Sequence, residues 1–384
     1  MEEDVSTASG LPEHLELQRT RVICGPDMNS HTESTLSAHQ YAPMGTSQAF
    51  SLAKFKKGFN ITITKYEGDD MEFELKGISC AMANSLRRIM IAEAPTMAIE
   101  HVYILNNTSI IQDEVLSHRL GLIPLRVDPR LFKYKVRGGL RVALGCLPGA
   151  VLDCTSKEEN ATQTNTIVLK LKVECRRLPD GSVENDKVYS KDLQWLPEGS
   201  EIPAETGARF GESQATVVAD VRPTYEDILI AKLRPGQAIE LEAHCVKGVG
   251  EEHAKWSPVA TTWYKLMPEV VLLQPVTGDL ADELAAECPG LFQVVERGGS
   301  RAVMVADPRQ HWKQLEKVRR LSGEERWSPY LQLRKVKDHF IFTVESTGAW
   351  RPHELFNYAV DVMVSKCDKV LEGLQTFPSR SFDY

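Results

Sequence analysis

The chain has 384 residues, of which 42% are hydrophobic and 26% charged, with a formal net charge of −8. That length predicts two domains, or one domain carrying a large insertion, in the soluble globular class. The acidic balance speaks against a face that grips duplex nucleic acid. Eight scattered cysteines with no Cys-x-x-Cys pair speak against a disulfide scaffold, and no run of about 18 apolar residues marks a membrane span.

Residues 1 to about 50 are rich in Ser, Thr, Glu and His without periodicity, the composition of a flexible tail. Their acidic, polar start is unlike a secretory signal. Phe59, Ile61 and Ile63 alternate with polar neighbours, as do Met71, Phe73 and Leu75, with Gly68 and Asp69 between them. Two half-buried strands joined by a hairpin are predicted. A helix follows from about Ser79, a good N-cap, to Glu93, stopped by Pro95. Met97–Leu105 returns as a strand. Asp113 to Gly121 reads as a short helix closed by a glycine cap, with Asp113 and Glu114 complementing its N-terminal dipole and His118 and Arg119 its C-terminal one.

The stretches TIVLKLKVEC, ILIAKLRPG and IELEAHCVKG read as short strands, separated by turn signals at Pro179-Asp180-Gly181 and Pro235-Gly236. Near the end, His339–Ser346 reads as a strand and Thr347-Gly348 as a turn. Pro352 then opens a helix running to about Gln375, roughly 33 Å long. The fold class expected is therefore α+β. A discontinuous domain of a sheet plus two helices, from 51–106 and 334–384, is interrupted by a mixed, strand-rich insertion over 107–333. A disordered tail covers 1–50 and an atypical loop 137–165.

The two flanking helices carry the main physical argument. At 100° per residue, Met82, Ala83, Leu86, Ile89 and Met90 share one face of the first helix, while Cys80, Ala81, Ile91 and Ala92 occupy much of the opposite side. Asn84, Ser85, Arg87 and Arg88 supply the polar sector. On the second helix Leu355, Phe356, Ala359, Val360, Val362, Met363, Val364, Cys367, Val370, Leu371 and Leu374 span an arc of roughly 200°, against the ~100° needed to cover one sheet. Lys366 falls inside that arc and can snorkel out. Either a second protein or the insertion covers the excess.

GISCAMANSLRRIMIAEAPTMAIEHVYI resembles the first helix–strand segment of the alpha-type RNA polymerase subunits, whose motif centres on Asn, a small residue, Leu and an Arg pair. NNTSIIQDEVLSHRLGLIPLRVDPRLF, from Asn106 to Phe132, is similar to the eukaryotic alpha-like version, and nearest to the form shared by RNA polymerases I and III. HCVKGVGEEHAKWSPVAT, from His244 to Thr261, and FIFTVESTG, from Phe340 to Gly348, fit the same family in the same order. The resemblance runs from about Phe59 to Leu374. The family extends to archaeal D and bacterial alpha subunits.

The resemblance implies an alpha-type dimerisation domain with an inserted domain. It implies a non-catalytic scaffold that pairs with a smaller alpha-like subunit and nucleates assembly of the two large subunits and the small zinc-binding subunits. Such a subunit serves rRNA, 5S rRNA and tRNA transcription in the nucleus, including the nucleolus. The dimerisation interface would draw on Met82, Ala83, Leu86, Ile89, Met90, Leu355, Phe356, Ala359, Met363 and Val370. Contacts to other subunits would draw on Arg87, Arg88, Asp113, Glu114, His118, Arg119, Lys255 and Trp256. No cofactor, no metal, no catalytic residue, no direct specific DNA binding and no membrane contact are expected.

The related polymerase II subunit carries a zinc loop, for which this chain has no cysteine cluster; Cys245 and His253 lack a second ligand pair. Arg137 to Cys154 is longer and more apolar than the short polar loop the family leads one to expect there, and reads as a lineage insertion or a mis-spliced segment. An enzyme built on His118, His244, Cys245 and His253 is the reading from another class. No P-loop, Rossmann fingerprint, Gly-x-Ser-x-Gly elbow or HExxH supports it.

Overall fold

The computed structural model describes residues 11–32, 50–135, 160–297 and 300–376. The stretch Arg137–Cys154, with most of the expected atypical loop, lies outside them. The chain divides into two units. The first takes Met1–Lys65, Glu72–Asn84 and Trp263–Thr343; the second takes Tyr66–Met71, Ser85–Thr262 and Val344–Tyr384. Helices and strands are mixed throughout, the strands being joined by antiparallel pairing.

The first unit is built on a six-stranded sheet. Its order is Asn29–Ser30, Arg21–Cys24, Leu331–Ser346, Asp70–Lys76, Asn60–Glu67, with Val259–Leu272 also paired to Leu331–Ser346. Met71, Phe73 and Leu75 alternate inward as expected, each at most 3% exposed. The Phe73 ring stacks on Phe342 at 5.3 Å, and Tyr264 sets its edge against Phe340 at 5.3 Å. A separate core gathers Leu284, Leu291, Val318 and Trp327. It lies among the helices Asp279–Glu287 and Trp312–Leu321 and the hairpin Phe292–Arg297 with Ser300–Val305.

Two expectations are corrected here. Residues 11–32 are not a disordered tail. Glu13–Thr20 is helical, and Arg21–Cys24 pairs antiparallel with the long strand, Arg21 opposite Val336. Lys337 Nζ donates to Gln18 O across 319 positions of sequence. A four-residue strand is too short for a period to show, and its partner lies at the other end of the chain. The strand Asn60–Glu67 forms, but it is not half-buried: all eight positions are exposed. It is the sheet's edge, so alternation there reports apolar side chains left 42–58% open to solvent.

The second unit holds a four-stranded sheet in the order Leu193–Trp195, Thr166–Glu174, Ala238–Val249, Pro95–Asn107. Ala238–Val249 is paired along both edges and shifts register at two bulges against Pro95–Asn107. Leu116 and Leu120 of the helix Asp113–Gly121 join Ile99, Ile167, Leu169 and Leu241 in its core. That helix does not end in a glycine cap. Gly121 is its last helical residue, Leu122 stays right-handed, and the Ile123 N–H closes the turn on Leu120 O at 3.1 Å.

The long helices form as the sequence indicates. Ser79 Oγ accepts from the Met82 N–H at 3.3 Å to start Cys80–Ala92, and Pro352 opens Pro352–Thr376. The turn before the second requires Gly348 (φ +92°), since a Cβ there would fall 2.4 Å from Thr224 Cγ2. The helix start is pinned within the second unit. Trp350 Nε1 donates to Pro95 O at 2.7 Å, Arg130 lies 4.9 Å over the Trp350 ring, and Tyr66 Oη meets His353 Nδ1 at 3.0 Å.

Candidate assembly surface

The C-terminal helix separates its wide apolar arc into two sectors. Leu355, Ala359 and Val362 are buried at 0–2% exposure. Phe356, Val360 and Met363 are half-covered. Val364, Val370, Leu371 and Leu374 stand 53–65% exposed, and Cys367 is exposed beside them. At 100° per residue the buried three fall in a sector of about 60°; the half-covered and exposed ones fall in an adjoining stripe of about 120°. The spacing of Val364, Cys367, Leu371 and Leu374 is that of a coiled-coil seam. Lys366, 44% exposed, reaches out of the buried sector to solvent and pairs there with Glu93 Oε1 at 2.5 Å.

The residues expected at an interface differ in how open they are. Ala83, Leu86, Ile89, Met90, Leu355 and Ala359, expected at the dimer surface, are at most 5% exposed and are covered by the chain itself. Met82, Phe356 and Met363 are partly open, and Val370 is fully so. The residues that periodicity singled out on the two helices are mainly those the chain itself buries. On Cys80–Ala92 the outward side instead carries Ala81, Ser85 and Arg88, all exposed, with Ala92 half-buried. Small residues of this kind allow a close approach. The exposed stripe of Leu371 and Leu374 was within the apolar arc read from sequence but was not singled out.

The expected subunit contacts divide in the same way. Arg88, Glu114 and His118 are exposed and Arg87 is half-buried. Arg119 is occupied: Nε and Nη2 donate to Ile230 O and Leu229 O at 3.0 and 2.6 Å, tying its helix to the neighbouring strand. Asp113 Oδ1 accepts from Asn107 Nδ2 at 2.7 Å and holds the preceding turn. Lys255 donates to Ile99 O at 2.9 Å and to Glu100. Trp256, expected as a contact anchor, is 2% exposed and donates Nε1 to Val246 O at 3.0 Å, so its ring belongs to the unit's own core. Beside it opens a cleft of about 350 Å³ lined by Met97, Leu122, Pro124, Lys255, Val259 and Thr347, among others. Leu122 at this cleft is 62% exposed. A leucine one position past a helix carries no signal that sequence alone would flag.

The residues of the enzymatic reading are not brought together for chemistry. His118 and His253 are exposed, whereas Cys245 and His244 are buried at 0% and 2%. Burial pushes the Cys245 thiol far up, so it stays protonated and un-nucleophilic. Among the described residues no three His, Cys, Asp or Glu side chains are grouped to hold a metal ion, and no helix is long and apolar enough to cross a membrane.

His244 is a buried neutral group. Its ring lies 4.8 Å from that of Tyr103, and its Nε2 is 3.8 Å from Glu242 Oε2 without a hydrogen-bond partner. Glu242 is itself engaged, accepting from Ser200 Oγ at 2.6 Å and from the Glu201 N–H at 2.9 Å. Burial, then the nearby charges of His101 and Lys135, lower the His244 pKa to about 4. The unfolded chain takes up that proton at about 6.5. As pH falls, the unfolded state therefore binds it first, so the stability present above pH ~6.5 is lost progressively down to pH ~4, by ~3 kcal/mol in all. Urea unfolding at about pH 7.5 and about pH 5 checks this: His244→Phe should remove roughly 2 kcal/mol of the loss between the two, and an unchanged difference would contradict it.

By class this is a mixed helix-and-sheet chain whose helix Pro352–Thr376 leaves an apolar stripe open to solvent. The family described as the RNA polymerase Rpb3/Rpb11 dimerisation domain matches residues 72–367. The mouse protein DNA-directed RNA polymerases I and III subunit RPAC1 is 38% identical over 371 residues, covering 94% of this chain and 96% of that relative. Its Saccharomyces cerevisiae counterpart is 38% identical over 359 residues, covering 90% and 96%. A Dictyostelium discoideum DNA-directed RNA polymerase II subunit rpb3 is 31% identical over 312 residues, covering 80% and 91%. The chain belongs to the RNA polymerase Rpb3/Rpb11 dimerisation family.

Proposed function

We propose that this chain is a non-catalytic assembly subunit of RNA polymerases I and III. In this reading it pairs with a smaller alpha-like subunit through the exposed stripe of the C-terminal helix, and the pair nucleates assembly of the two large subunits and the small zinc-binding ones. It acts in the nucleus, including the nucleolus, in transcription of rRNA, 5S rRNA and tRNA. The discontinuous domain of 51–106 and 334–384 forms the dimerisation part, and 107–333 the insertion.

The single observation that carries the reading is the uncovered seam of Val364, Cys367, Val370, Leu371 and Leu374 on a helix otherwise anchored in its unit. Each large aliphatic side chain left in water forfeits ~1.5–3 kcal/mol, which burial against a second chain recovers. The higher identity to the polymerase I and III relatives than to the polymerase II relative supports that assignment over the polymerase II alternative. The closed positions of Cys245 and His244 speak against the enzyme.

Affinity purification of the tagged chain, with partners identified by mass, tests the reading. Large subunits of polymerases I and III should accompany it; polymerase II subunits alone, or a catalytically active monomer, would overturn it. Arg88 is exposed on the outward side of its helix and suits pairing with carboxylates or carbonyls of a large subunit. Arg88→Glu should therefore leave the heterodimer intact and reduce incorporation of the large subunits at least about tenfold, as a charge reversal worth ~1.4 kcal/mol or more requires. Normal incorporation of Arg88→Glu would count against that role.

A further inference from the structure

We infer that the edge strand Asn60–Glu67, with the basic helix Leu52–Gly58 beside it, receives an extended acidic segment of another protein by strand addition. The six-stranded sheet ends on this strand, whereas its other edge is the two-residue Asn29–Ser30. Edge strands are normally blunted by brevity, proline or inward charge, because their free N–H and C=O groups template a further strand. This one is eight residues long, has no proline and is exposed at every position; its charges, Lys65 and Glu67, sit at one end and leave Asn60–Thr64 an uncharged edge. Ile61 and Ile63 stand 42% and 58% open. A strand so left is the acceptor used in β-augmentation, where main-chain bonds give affinity and alternate side chains give specificity.

The neighbouring helix sets the chemistry of the guest. Ser51 caps it, and the rings of Phe50, Phe55 and Phe59 pack in series at 5.9 and 5.2 Å. Its end is seated against Gly77 (φ +81°), where a Cβ would fall 2.5 Å from Gly58 O. So held, it presents Lys54, Lys56 and Lys57, all exposed and with no acidic residue between them, on a chain whose net charge is −8. Glu72 and Glu74 on the adjoining strand are already paired with Arg309, and Glu74 also with His339 at 2.9 Å. A run of exposed lysines beside an open edge selects a guest with alternating apolar residues flanked by Asp or Glu. In sequence this strand precedes residues 72–367, the stretch that the family match covers.

The test places the photo-reactive residue p-benzoylphenylalanine at Ile63 of the full chain and reads the cross-link on whatever complex the chain forms in cells. The expected product is a cross-link to an extended, Asp- or Glu-rich segment of a different polypeptide, its yield falling at least tenfold in Lys56→Glu/Lys57→Glu. Amide exchange of Asn60–Glu67 should slow at least tenfold in that complex relative to the free chain. Cross-links to a second copy of this chain, to a segment without acidic residues or to nothing, or unchanged exchange, would each overturn the inference. Co-purification of polymerase subunits is scored separately, so failure of the assembly reading and failure of this one are distinguishable.

Discussion

Leu371→Asp/Leu374→Asp is expected to abolish pairing with the smaller subunit while leaving the chain itself folded. Both side chains are more than half exposed and lie on the same uncovered stripe as Val364 and Val370. Burying two leucines against a partner recovers ~3–6 kcal/mol, and two carboxylates there add a desolvation cost. The loss corresponds to at least about a hundredfold in affinity. Because both side chains are already mostly open to solvent, the stability of the free chain should move by no more than ~0.5 kcal/mol. Co-expression with the smaller subunit followed by size-exclusion chromatography reads the first effect, and urea unfolding of the single chain reads the second. A normal heterodimer from this variant would remove the seam from the argument. A collapse of the free chain would mean the stripe is internal. Leu355→Asp is the contrasting change: its side chain is 0% exposed, so it should unfold the chain rather than uncouple it.

Trp256→Ala should be among the most destabilising single changes in the second unit. The indole is 2% exposed, packs with Ala98 and Val246, and donates to Val246 O. Gly248 lies directly beneath it, where a Cβ would come 2.4 Å from Trp256 Cδ2, so the ring and the strand are fitted to each other. Truncating a buried aromatic of this size costs ~3–5 kcal/mol, a large part of a typical total of ~5–15 kcal/mol, and strands the Val246 carbonyl. The urea midpoint should fall accordingly, Trp256→Phe should fall less, and Gly248→Ala should destabilise by overpacking. A loss below ~1 kcal/mol would mean that the ring is not part of this core.

The contrast between Trp256 and Leu371 shows where sequence reading stops. Both are large apolar residues in regions that resemble contact segments of the family. Trp256 is enclosed against the strand Ala238–Val249, over a glycine eight positions earlier, while Leu371 faces outward about two and a half turns beyond Val362, the last buried apolar residue of its helix. Neither fact has a local signature. The strand Asn60–Glu67 makes the same point: its alternation equals that of Asp70–Lys76, yet one is exposed throughout and the other closes over Phe73. The helix Glu13–Thr20 and strand Arg21–Cys24 were invisible because their stabilising partners sit more than 300 residues later.

The sequence by itself determined a subset of the elements and their order: the Ser79-capped and Pro352-opened helices, the hairpin, the strands beginning near Thr166, Leu229 and Ala238, and the family motifs. Those follow from capping, turn chemistry and period, which act within a few residues. Only the tertiary structure decided which sector of each apolar helix is covered, which strand is an edge, and which charged groups are already spent, as Arg119 and Lys255 are. Periodicity records that a side chain avoids water; what shields it depends on contacts between distant parts of the chain, and no short window of sequence contains those.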